Sequence, residues 1–309
     1  MIIVCDQCKT RFRLEDSAVN REIFKARCAK CHHIFVVDRR PPDETPLVLQ
    51  EEQILPDANY KILTICNQKG GVAKTSTCIN LGAALTLHGK RVLLVDFDVQ
   101  ANLSDQLGVS GKRSFYDVLS MESTSELSKV ILRVEPNLFC LPSNNKMALL
   151  PKNYLSKKGF ERILGEHLRR VASFFDYVLI DTPPSLDFFT INALMASDFA
   201  IITTQAEYLA LKGVGHVENI IDVLRQKTGH QLDYKILINM YEPENTASQA
   251  VCRALKRRYP AHIFATEVTR DVKVQESQIL RSSVIRYDPK ASASRQYLAL
   301  ADEILRFQT

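Results

Sequence analysis

Five short runs of apolar residues recur along the chain after residue 59. They read YKILTIC, RVLLVDF, DYVLID, DFAIITT and YKILINM. Longer segments with the spacing of helices separate them, for example TSTCINLGAALTLHG, which ends with Gly89 in the position of a helix C-cap. Strands that are apolar at nearly every position and that alternate with helices predict a mostly parallel, doubly wound α/β sheet covered by helices on both faces.

The N-terminal part of the chain has cysteine pairs in place of apolar runs. Cys5 with Cys8 and Cys28 with Cys31 form two C-x-x-C pairs, separated by nineteen residues. Two such turns can bring four thiolates to one point, a tetrahedral set that suits zinc, whereas two redox dithiols or bound iron are the alternatives. The segment also resembles the zinc-ribbon module at the N-termini of many bacterial proteins. We predict a small zinc-ribbon domain over residues 1–37, folded largely by its metal.

Residues 38–58, DRRPPDETPLVLQEEQILPDA, contain four prolines and lack clear periodicity. This composition is typical of a flexible linker, which leaves residues 59–309 for the second domain. No window holds the roughly 20 uninterrupted apolar residues that a membrane helix needs, and polar residues interrupt the N-terminus where a signal peptide needs an apolar core. We therefore expect a cytoplasmic protein.

The segment NQKGGVAKTS lies between the first apolar strand and the helix that follows it. Unpaired N–H groups and the helix dipole make this position attractive to phosphate. Gly70 and Gly71 let the backbone approach phosphates closely, Lys74 is placed to reach the β- and γ-phosphates, and Thr75 can give its hydroxyl to Mg²⁺. The usual Walker A pattern G-x-x-x-x-G-K-[ST] does not match, because other residues occupy its two glycine positions.

The loop instead matches the pattern K-G-G-x-x-K-[ST] over residues 69–75, and in this it resembles the ParA/MinD family of P-loop ATPases. The resemblance implies that Lys69 reaches into the partner's nucleotide site in an ATP-bound homodimer and that Lys69 and Lys74 act in catalysis. Ala73 departs from the commoner glycine, so its Cβ is expected to alter the loop slightly. The implied ATP-binding residues are Lys69, Gly70, Gly71, Val72, Ala73, Lys74, Thr75 and Ser76.

Further motifs match the family in chain order. LLVDFDVQANLS resembles the motif D-x-D-P-Q, although Val99 replaces the proline. The resemblance implies that Asp98 positions the attacking water and that Asp96 supports the magnesium side of the site. LIDTPPSLDFFTINAL resembles the Walker B region, by which Asp181 would hold Mg²⁺ through water. LINM places Asn239 where relatives read the adenine edge. Three segments resemble the chromosomal, Soj-type members of the family in particular: LINM, QAEYLALKGV and VIRYDPKASASRQYLALADEIL.

Basic residues are concentrated near the C-terminus. The whole chain has a net charge of +5, but residues 252–295 contain ten basic and four acidic residues, a net charge of +6. This stretch indicates a polyanionic partner. The resemblance matches Arg270 and Lys273 to the family's DNA-contacting segment, whereas Lys256, Arg257 and Arg258 are individually better explained as a solvated helix face.

The motifs together predict an ATPase for partition or positioning, with ATP, Mg²⁺ and Zn²⁺ as cofactors. By the resemblance, ATP closes a homodimer that binds double-stranded DNA of any sequence and therefore associates with the nucleoid. A ParB-like activator or another cargo adaptor then stimulates slow hydrolysis to ADP and phosphate, which releases the dimer. The expected process is segregation of a chromosome or plasmid. The ribbon is expected to dock a protein partner, with DNA binding and redox sensing as alternatives.

Two other functions fit the same scaffold less well. A MinD-like regulator of division or flagellar placement would use a basic amphipathic helix on a membrane, whereas QYLALADEILRFQT carries two acids and one arginine, so no membrane partner is expected. A carrier or reductase of metal clusters would need paired cysteines in the second domain. Cys66, Cys140 and Cys252 are solitary there.

Overall fold

A computed structural model of the chain describes residues 2–5, 7–8, 10–13, 23–38, 60–120 and 127–307. The chain forms two compact units, Met1–Asp43 and Glu44–Thr309. Apart from its first residue, the predicted linker lies outside the described residues, so its extent stays a prediction. No helix among the described residues is long and apolar enough to cross a membrane.

The N-terminal unit contains two antiparallel strand pairs. Each ends in a turn of the same construction, because the N–H of Cys5 donates to the carbonyl of Thr10 at 2.9 Å and that of Cys28 to the carbonyl of His33 at 2.8 Å. The two turns therefore present their cysteines in equivalent ways. The pairs are β1 (Ile2–Val4) with β2 (Arg11–Arg13), and β3 (Ile23–Arg27) with β4 (Ile34–Asp38).

The second unit is built on one seven-stranded sheet in the order β11-β10-β5-β9-β6-β8-β7. Every neighbouring pair is parallel except β7 with β8, at one edge. The predicted class, a mostly parallel doubly wound sheet, is confirmed. Its strands are β5 (Lys61–Cys66), β6 (Val92–Asp96), β7 (Leu132–Glu135), β8 (Leu138–Leu141), β9 (Tyr177–Asp181), β10 (Phe199–Gln205) and β11 (Asp233–Asn239).

Helices cover both faces of this sheet. They are α1 (Lys74–Leu87), α2 (Asn102–Gln106), α3 (Phe115–Ser120), α4 (Leu150–Tyr154), α5 (Ile163–Ala172), α6 (Phe188–Ala196), α7 (Ala210–Thr228), α8 (Thr246–Arg258), α9 (Val272–Ile279), α10 (Val284–Tyr287) and α11 (Ser292–Phe307). Along β6, Val92 and Leu94 pack in one core cluster, while Leu93 and Val95 pack in the other. Burial on both faces explains why the strand is apolar at every position.

The last helix is part of the core. Tyr297, Leu300 and Ile304 of α11 are buried in the cluster that also holds the apolar face of α1. This placement agrees with the expectation that the segment packs within the domain. The neighbouring strands β7 and β8 were not predicted from the sequence. Arg133 and Glu135 interrupt the apolar pattern of β7, and β8 is buried but only four residues long.

The C-terminal end of α1 has the geometry that the sequence predicts. Gly89 has φ 74°, and its N–H donates to the carbonyl of Thr86 at 3.0 Å. The N–H of Lys90 donates to the carbonyl of Leu85 at 3.2 Å. These bonds satisfy carbonyls that the helix end leaves without intrahelical partners, and glycine tolerates the left-handed conformation they require.

We expect the same substitution to have opposite effects at two glycines. Gly89→Ala should lower the free energy of unfolding by about 1 kcal/mol, because a side chain disfavours positive φ. Gly215→Ala, within α7, should raise it by about 0.5–1 kcal/mol, because alanine has the higher helix propensity and the new Cβ would meet only the Tyr259 hydroxyl, at 3.9 Å. Urea unfolding followed by circular dichroism measures both. Changes of equal sign would contradict this account.

Candidate functional site

A cavity of about 500 Å³ opens at the carboxyl edge of the sheet, a size in the range of small-molecule sites. Asp98, Asn239 and Arg270 line it together with most of the predicted phosphate loop. Five predicted residues of this unit lie outside the lining: Lys69, Val72, Asp96, Asp181 and Lys273. The loop residues in the lining are Gly70, Gly71, Ala73, Lys74, Thr75 and Ser76.

Left-handed backbone shapes the phosphate loop. Gly71 has φ 73°, and Ala73, the residue before α1, has φ 63° and ψ 32°. The left-handed region costs an L-residue roughly 1–2 kcal/mol, so Ala73 occupies a conformation that glycine would adopt without that cost. The replacement of the commoner glycine by Ala73 therefore adds this conformational cost to the loop.

Asn67 holds the start of the loop in place. It is buried, its Oδ1 accepts a hydrogen bond from the N–H of Lys69 at 3.0 Å, and its Nδ2 donates to the carbonyl of Thr203 at 2.7 Å. Gly213 of α7 lies so near that a Cβ there would sit 3.2 Å from this Oδ1. The sequence analysis did not identify Asn67, because a single asparagine after a strand has no spacing signal.

Lys74 is nearly buried, with 7% of its surface exposed. Its Nζ donates to the carbonyl of Lys69 at 3.2 Å, so the loop bends back over the Lys74 ammonium group. Burial lowers the pKa of Lys74, while the nearby carboxylates of Asp181 and Asp98 act in the opposite direction. A desolvated ammonium group at this position interacts strongly with a bound polyphosphate.

Asp181 has the features of a carboxylate that supports a metal ion. Its Oδ2 accepts a hydrogen bond from the Thr75 hydroxyl at 2.7 Å, whereas its buried Oδ1 has no hydrogen-bond partner among the described residues. Burial, and then the charge of Asp96, raise its pKa well above the ordinary value. An unpartnered buried carboxylate oxygen is costly unless a cation or a water supplies the missing contact. Thr75 and Asp181 therefore fit a magnesium site.

The two aspartates at the end of β6 have different surroundings. Asp98 lines the cavity, and its Oδ1 accepts a hydrogen bond from the N–H of Gln100 at 2.9 Å. Asp96 is fully buried, and both of its oxygens accept hydrogen bonds within the protein. Burial raises the pKa of Asp96 to about 6. This arrangement favours an indirect part for Asp96, through the segment that carries Asp98.

The Asn239 side chain is directed into the protein. Its Nδ2 donates to the Thr77 hydroxyl at 2.9 Å and to the Tyr297 hydroxyl at 3.4 Å, and its Oδ1 accepts from the N–H of Met240 at 2.8 Å. Met240 has φ 49°. Both amide hydrogens are therefore used internally. Direct reading of a base by Asn239, which stays a prediction, would use the remaining lone pair of Oδ1 or require the amide to turn.

Lys69 contacts its own chain. Its Nζ forms an ion pair with Glu207 and donates to Gln205 Oε1 at 3.2 Å. Gln205 Nε2 in turn donates to the carbonyl of Gly71 at 3.1 Å. Gln205 at the end of β10 and Glu207 just beyond it thus hold the flank of the phosphate loop, and neither was predicted from the sequence.

The two predicted DNA contacts lie near the start of α9 and carry ion pairs. Arg270 Nε is 2.6 Å from Glu242 Oε1, and Lys273 Nζ is 3.0 Å from Glu276 Oε2. Gln278 of the same helix donates to the Ser76 hydroxyl at 2.8 Å, which connects α9 to the phosphate loop. Exposed ion pairs of this kind contribute about 0–1 kcal/mol, so phosphates can compete with them.

The four cysteines of the N-terminal unit converge as their spacing predicts. All four Sγ atoms lie within 4.8 Å of one another. The Sγ atoms of Cys5 and Cys31 are 3.6 Å apart, and those of Cys8 and Cys28 are 3.4 Å apart. A tetrahedral zinc site with Zn–S bonds of about 2.3 Å places its sulfurs about 3.8 Å apart. These two distances lie slightly below that spacing and all the others within 4.8 Å, so the thiols fit zinc with small shifts.

Comparison with known proteins identifies the second unit. The profile of the AAA domain family matches residues 60–234. The chain is 34% identical over 248 residues to the sporulation initiation inhibitor protein Soj of Bacillus subtilis, covering 79% of this chain and 98% of Soj. It is 33% identical over 261 residues to the chromosome partitioning protein ParA of Caulobacter vibrioides, covering 79% and 94%. The chain belongs to the ParA/Soj family.

Two other matches concern the N-terminal unit and the fold of the ParA/Soj-type unit. The profile of a zinc-ribbon domain matches residues 1–36, so the predicted ribbon is confirmed alongside the ATPase family. A crystal structure described as cobyrinic acid a,c-diamide synthase of Mycobacterium smegmatis, with an ATP analogue and magnesium, is 33% identical. It has a TM-score of 0.71 and covers 80% of this chain and 94% of that one.

We expect one zinc ion per chain in protein purified under reducing conditions. Cys5→Ser or Cys28→Ser should lose the zinc, because each removes a thiolate from the cluster, while the ParA/Soj-type unit stays folded. Cys252→Ser, a solitary cysteine, is the matched control and should keep the metal. Elemental analysis of each variant gives the stoichiometry and distinguishes zinc from iron. Wild-type protein without stoichiometric metal would refute the assignment.

Proposed function

We propose that this protein is a partition ATPase that hydrolyses ATP to ADP and phosphate. The observation that carries the proposal is the group formed by Lys74, Thr75 and Asp98 in the cavity lining, with Asp181 bonded to the Thr75 hydroxyl. This group combines a buried cation, a hydroxyl bonded to a carboxylate and a second carboxylate. Relatives named Soj and ParA support the cellular role in moving or positioning DNA.

The phosphate loop binds the nucleotide in its ground state. The N–H groups at the start of α1 and the Lys74 ammonium neutralise phosphate charge that is present before any reaction. Thr75 and Asp181 are the residues that would hold Mg²⁺, which when bound offsets charge on the β- and γ-phosphates. The unpartnered Oδ1 of Asp181 supports this assignment.

Asp98 acts on the attacking water. It is a cavity-lining carboxylate whose Oδ1 is held by the N–H of Gln100, so its orientation is fixed before substrate arrives. Burial raises its pKa, while the positive charge of Lys74 acts against that shift. A preorganised acceptor aligns the lone pair of water with the γ-phosphorus and so lowers the barrier of the chemical step alone.

Lys69 is the residue that we propose to couple ATP binding to dimerisation. In one chain this lysine pairs with Glu207 at the flank of the loop. The phosphates of an ATP-bound second copy offer a stronger concentration of negative charge than one exposed carboxylate. When Lys69 exchanges Glu207 for those phosphates, ATP binding is coupled to formation of a homodimer. A ParB-like or other cargo-bound activator then dissociates the dimer by stimulating hydrolysis. The zinc ribbon supplies a docking module for such a partner.

Removal of the Lys74 and Asp98 side chains should have separable effects. Lys74→Ala should abolish ATP binding, because it removes charge that the bound phosphates need. Asp98→Ala should bind ATP about as tightly as wild type, fail to hydrolyse it and accumulate as a dimer, because Asp98 acts only during the chemical step. Equilibrium binding and light scattering with ATP and Mg²⁺ measure both. A monomeric Asp98→Ala protein in saturating ATP would contradict the assignment.

DNA binding should depend on Arg270 and Lys273. Because phosphate contacts carry no base information, the ATP dimer should bind unrelated duplexes about equally, and more tightly than the monomer does. With roughly three to five phosphates contacted per protomer, log affinity should fall with log salt at a slope near −0.9 per contact. Arg270→Glu with Lys273→Glu should remove this binding. Because Arg270 also lines the cavity, Lys273→Glu alone, outside the lining, should weaken DNA binding and leave ATP-dependent dimerisation intact.

The matched control for the DNA experiment carries the same charge change elsewhere. Lys152 and Lys158 are exposed lysines outside the basic stretch, and their double replacement by glutamate should reduce DNA affinity only slightly. Fluorescence anisotropy with duplexes at several salt concentrations measures the wild type and each variant. Equal losses in both double variants would show a general charge effect, and wild-type binding to anionic vesicles instead of DNA would favour a membrane regulator.

A further inference from the structure

Hydrogen bonds hold the main chain of Asp98 on both sides of its Cα. Its N–H donates to Asp96 Oδ1 at 3.2 Å, and its carbonyl accepts from the Ser143 hydroxyl at 2.5 Å. The same carbonyl also accepts from the N–H of Ala101 at 3.0 Å. The peptide groups that flank the Asp98 side chain are therefore fixed by Asp96, the last residue of β6, and by Ser143, which follows the neighbouring strand β8.

Ser104 joins these two bonds into one buried network. Its N–H and its hydroxyl both donate to Asp96 Oδ2, at 2.8 and 2.6 Å. The Ser104 hydroxyl oxygen also accepts from the N–H of Ser143 at 2.9 Å. Asp96, Ser104 and Ser143 are each fully buried, so water does not compete for these bonds.

The surrounding backbone depends on this network for its conformation. Val99 stands where the related motif has proline, so no ring fixes φ after Asp98. Ala101, between Asp98 and α2, has φ 53°, a left-handed conformation that costs an alanine roughly 1–2 kcal/mol. Strained residues persist only where neighbouring contacts over-determine the structure. The Ala101 N–H donates to the Asp98 carbonyl, its own carbonyl accepts from the N–H of Asp105, and Ser143 holds the same Asp98 carbonyl.

We propose that Ser104 and Ser143 are positioning residues for ATP hydrolysis, which act through Asp96 and the Asp98 main chain to hold the Asp98 carboxylate at the phosphate end of the cavity. Neither serine lines the cavity or is placed to touch a nucleotide. The inference rests on the proposed function, because it assigns the two hydroxyls to the chemical step that Asp98 serves. It predicts a loss of rate without a loss of nucleotide affinity.

Ser143→Ala in the full-length protein is the principal test. It removes one hydroxyl, while the Asp98 carbonyl keeps its bond from Ala101, so the fold should survive. The rate constant for hydrolysis of prebound ATP in a single turnover should fall about ten-fold or more, since displacement of a catalytic group by about 1 Å can cost a hundred-fold. The dissociation constant for ATP should stay within about two-fold of wild type. Ser104→Ala should behave similarly, and Ser104→Thr, which keeps the hydroxyl, should restore most of the rate.

Ser197→Ala is the matched control. Ser197 is also buried, and its hydroxyl donates to the carbonyl of Ala193 at 2.8 Å. It precedes β10 and therefore lies at the amino ends of the strands, away from the cavity. It should lower the melting temperature by an amount similar to Ser143→Ala and leave the single-turnover rate within about two-fold.

The outcomes separate this inference from the proposed function. If Asp98→Ala is inactive and Ser143→Ala hydrolyses ATP at the wild-type rate, the positioning role is wrong while the ATPase assignment stands. If Ser143→Ala and Ser197→Ala lose rate equally, the effect is general destabilisation and the positioning role is also wrong. If Asp98→Ala hydrolyses ATP like wild type, the catalytic assignment of Asp98 fails and the inference fails with it.

Discussion

The burial of two carboxylates beside one lysine, with a third carboxylate buried next to them, is the constraint on which the rest of the site depends. Burial raises the pKa of Asp96, Asp98 and Asp181 and lowers that of Lys74. Each charge is costly there unless a partner offsets it. A divalent cation beside Asp181 and polyphosphate beside Lys74 satisfy these requirements together, which explains why the site suits a magnesium nucleotide.

Hydrogen bonds from side chains to the main chain control the loops around that cluster. Asn67 fixes the entry to the phosphate loop, Gln205 fixes its flank, and Ser143 fixes the Asp98 segment. Each of these side chains lies at the carboxyl end of a different strand of the sheet, β5, β10 and β8. The sheet therefore sets the spacing between the loops, and the polar side chains set their orientation. Strained residues such as Ala73 and Ala101 are held within this frame.

The parts that the sequence predicted are those with a repeating physical signal. Strands buried on both faces are apolar throughout, thiolates that share a metal recur as C-x-x-C, and a phosphate loop follows a strand and precedes a helix. Asn67, Glu207 and the serines gave no such signal, because a single polar residue acquires its partner only through folding. The inward orientation of Asn239 likewise depends on Tyr297, which lies far away in the chain.

The most direct test of the account is a crystal structure of the full-length protein with Mg²⁺ and a non-hydrolysable ATP analogue. The account predicts phosphates against the loop of residues 69–76 and one magnesium ion bound by the Thr75 hydroxyl. It also predicts that Asp181 lies beside this ion and that Asp98 is directed at the γ-phosphate. A nucleotide bound away from this loop, or a magnesium ion remote from both Thr75 and Asp181, would contradict it.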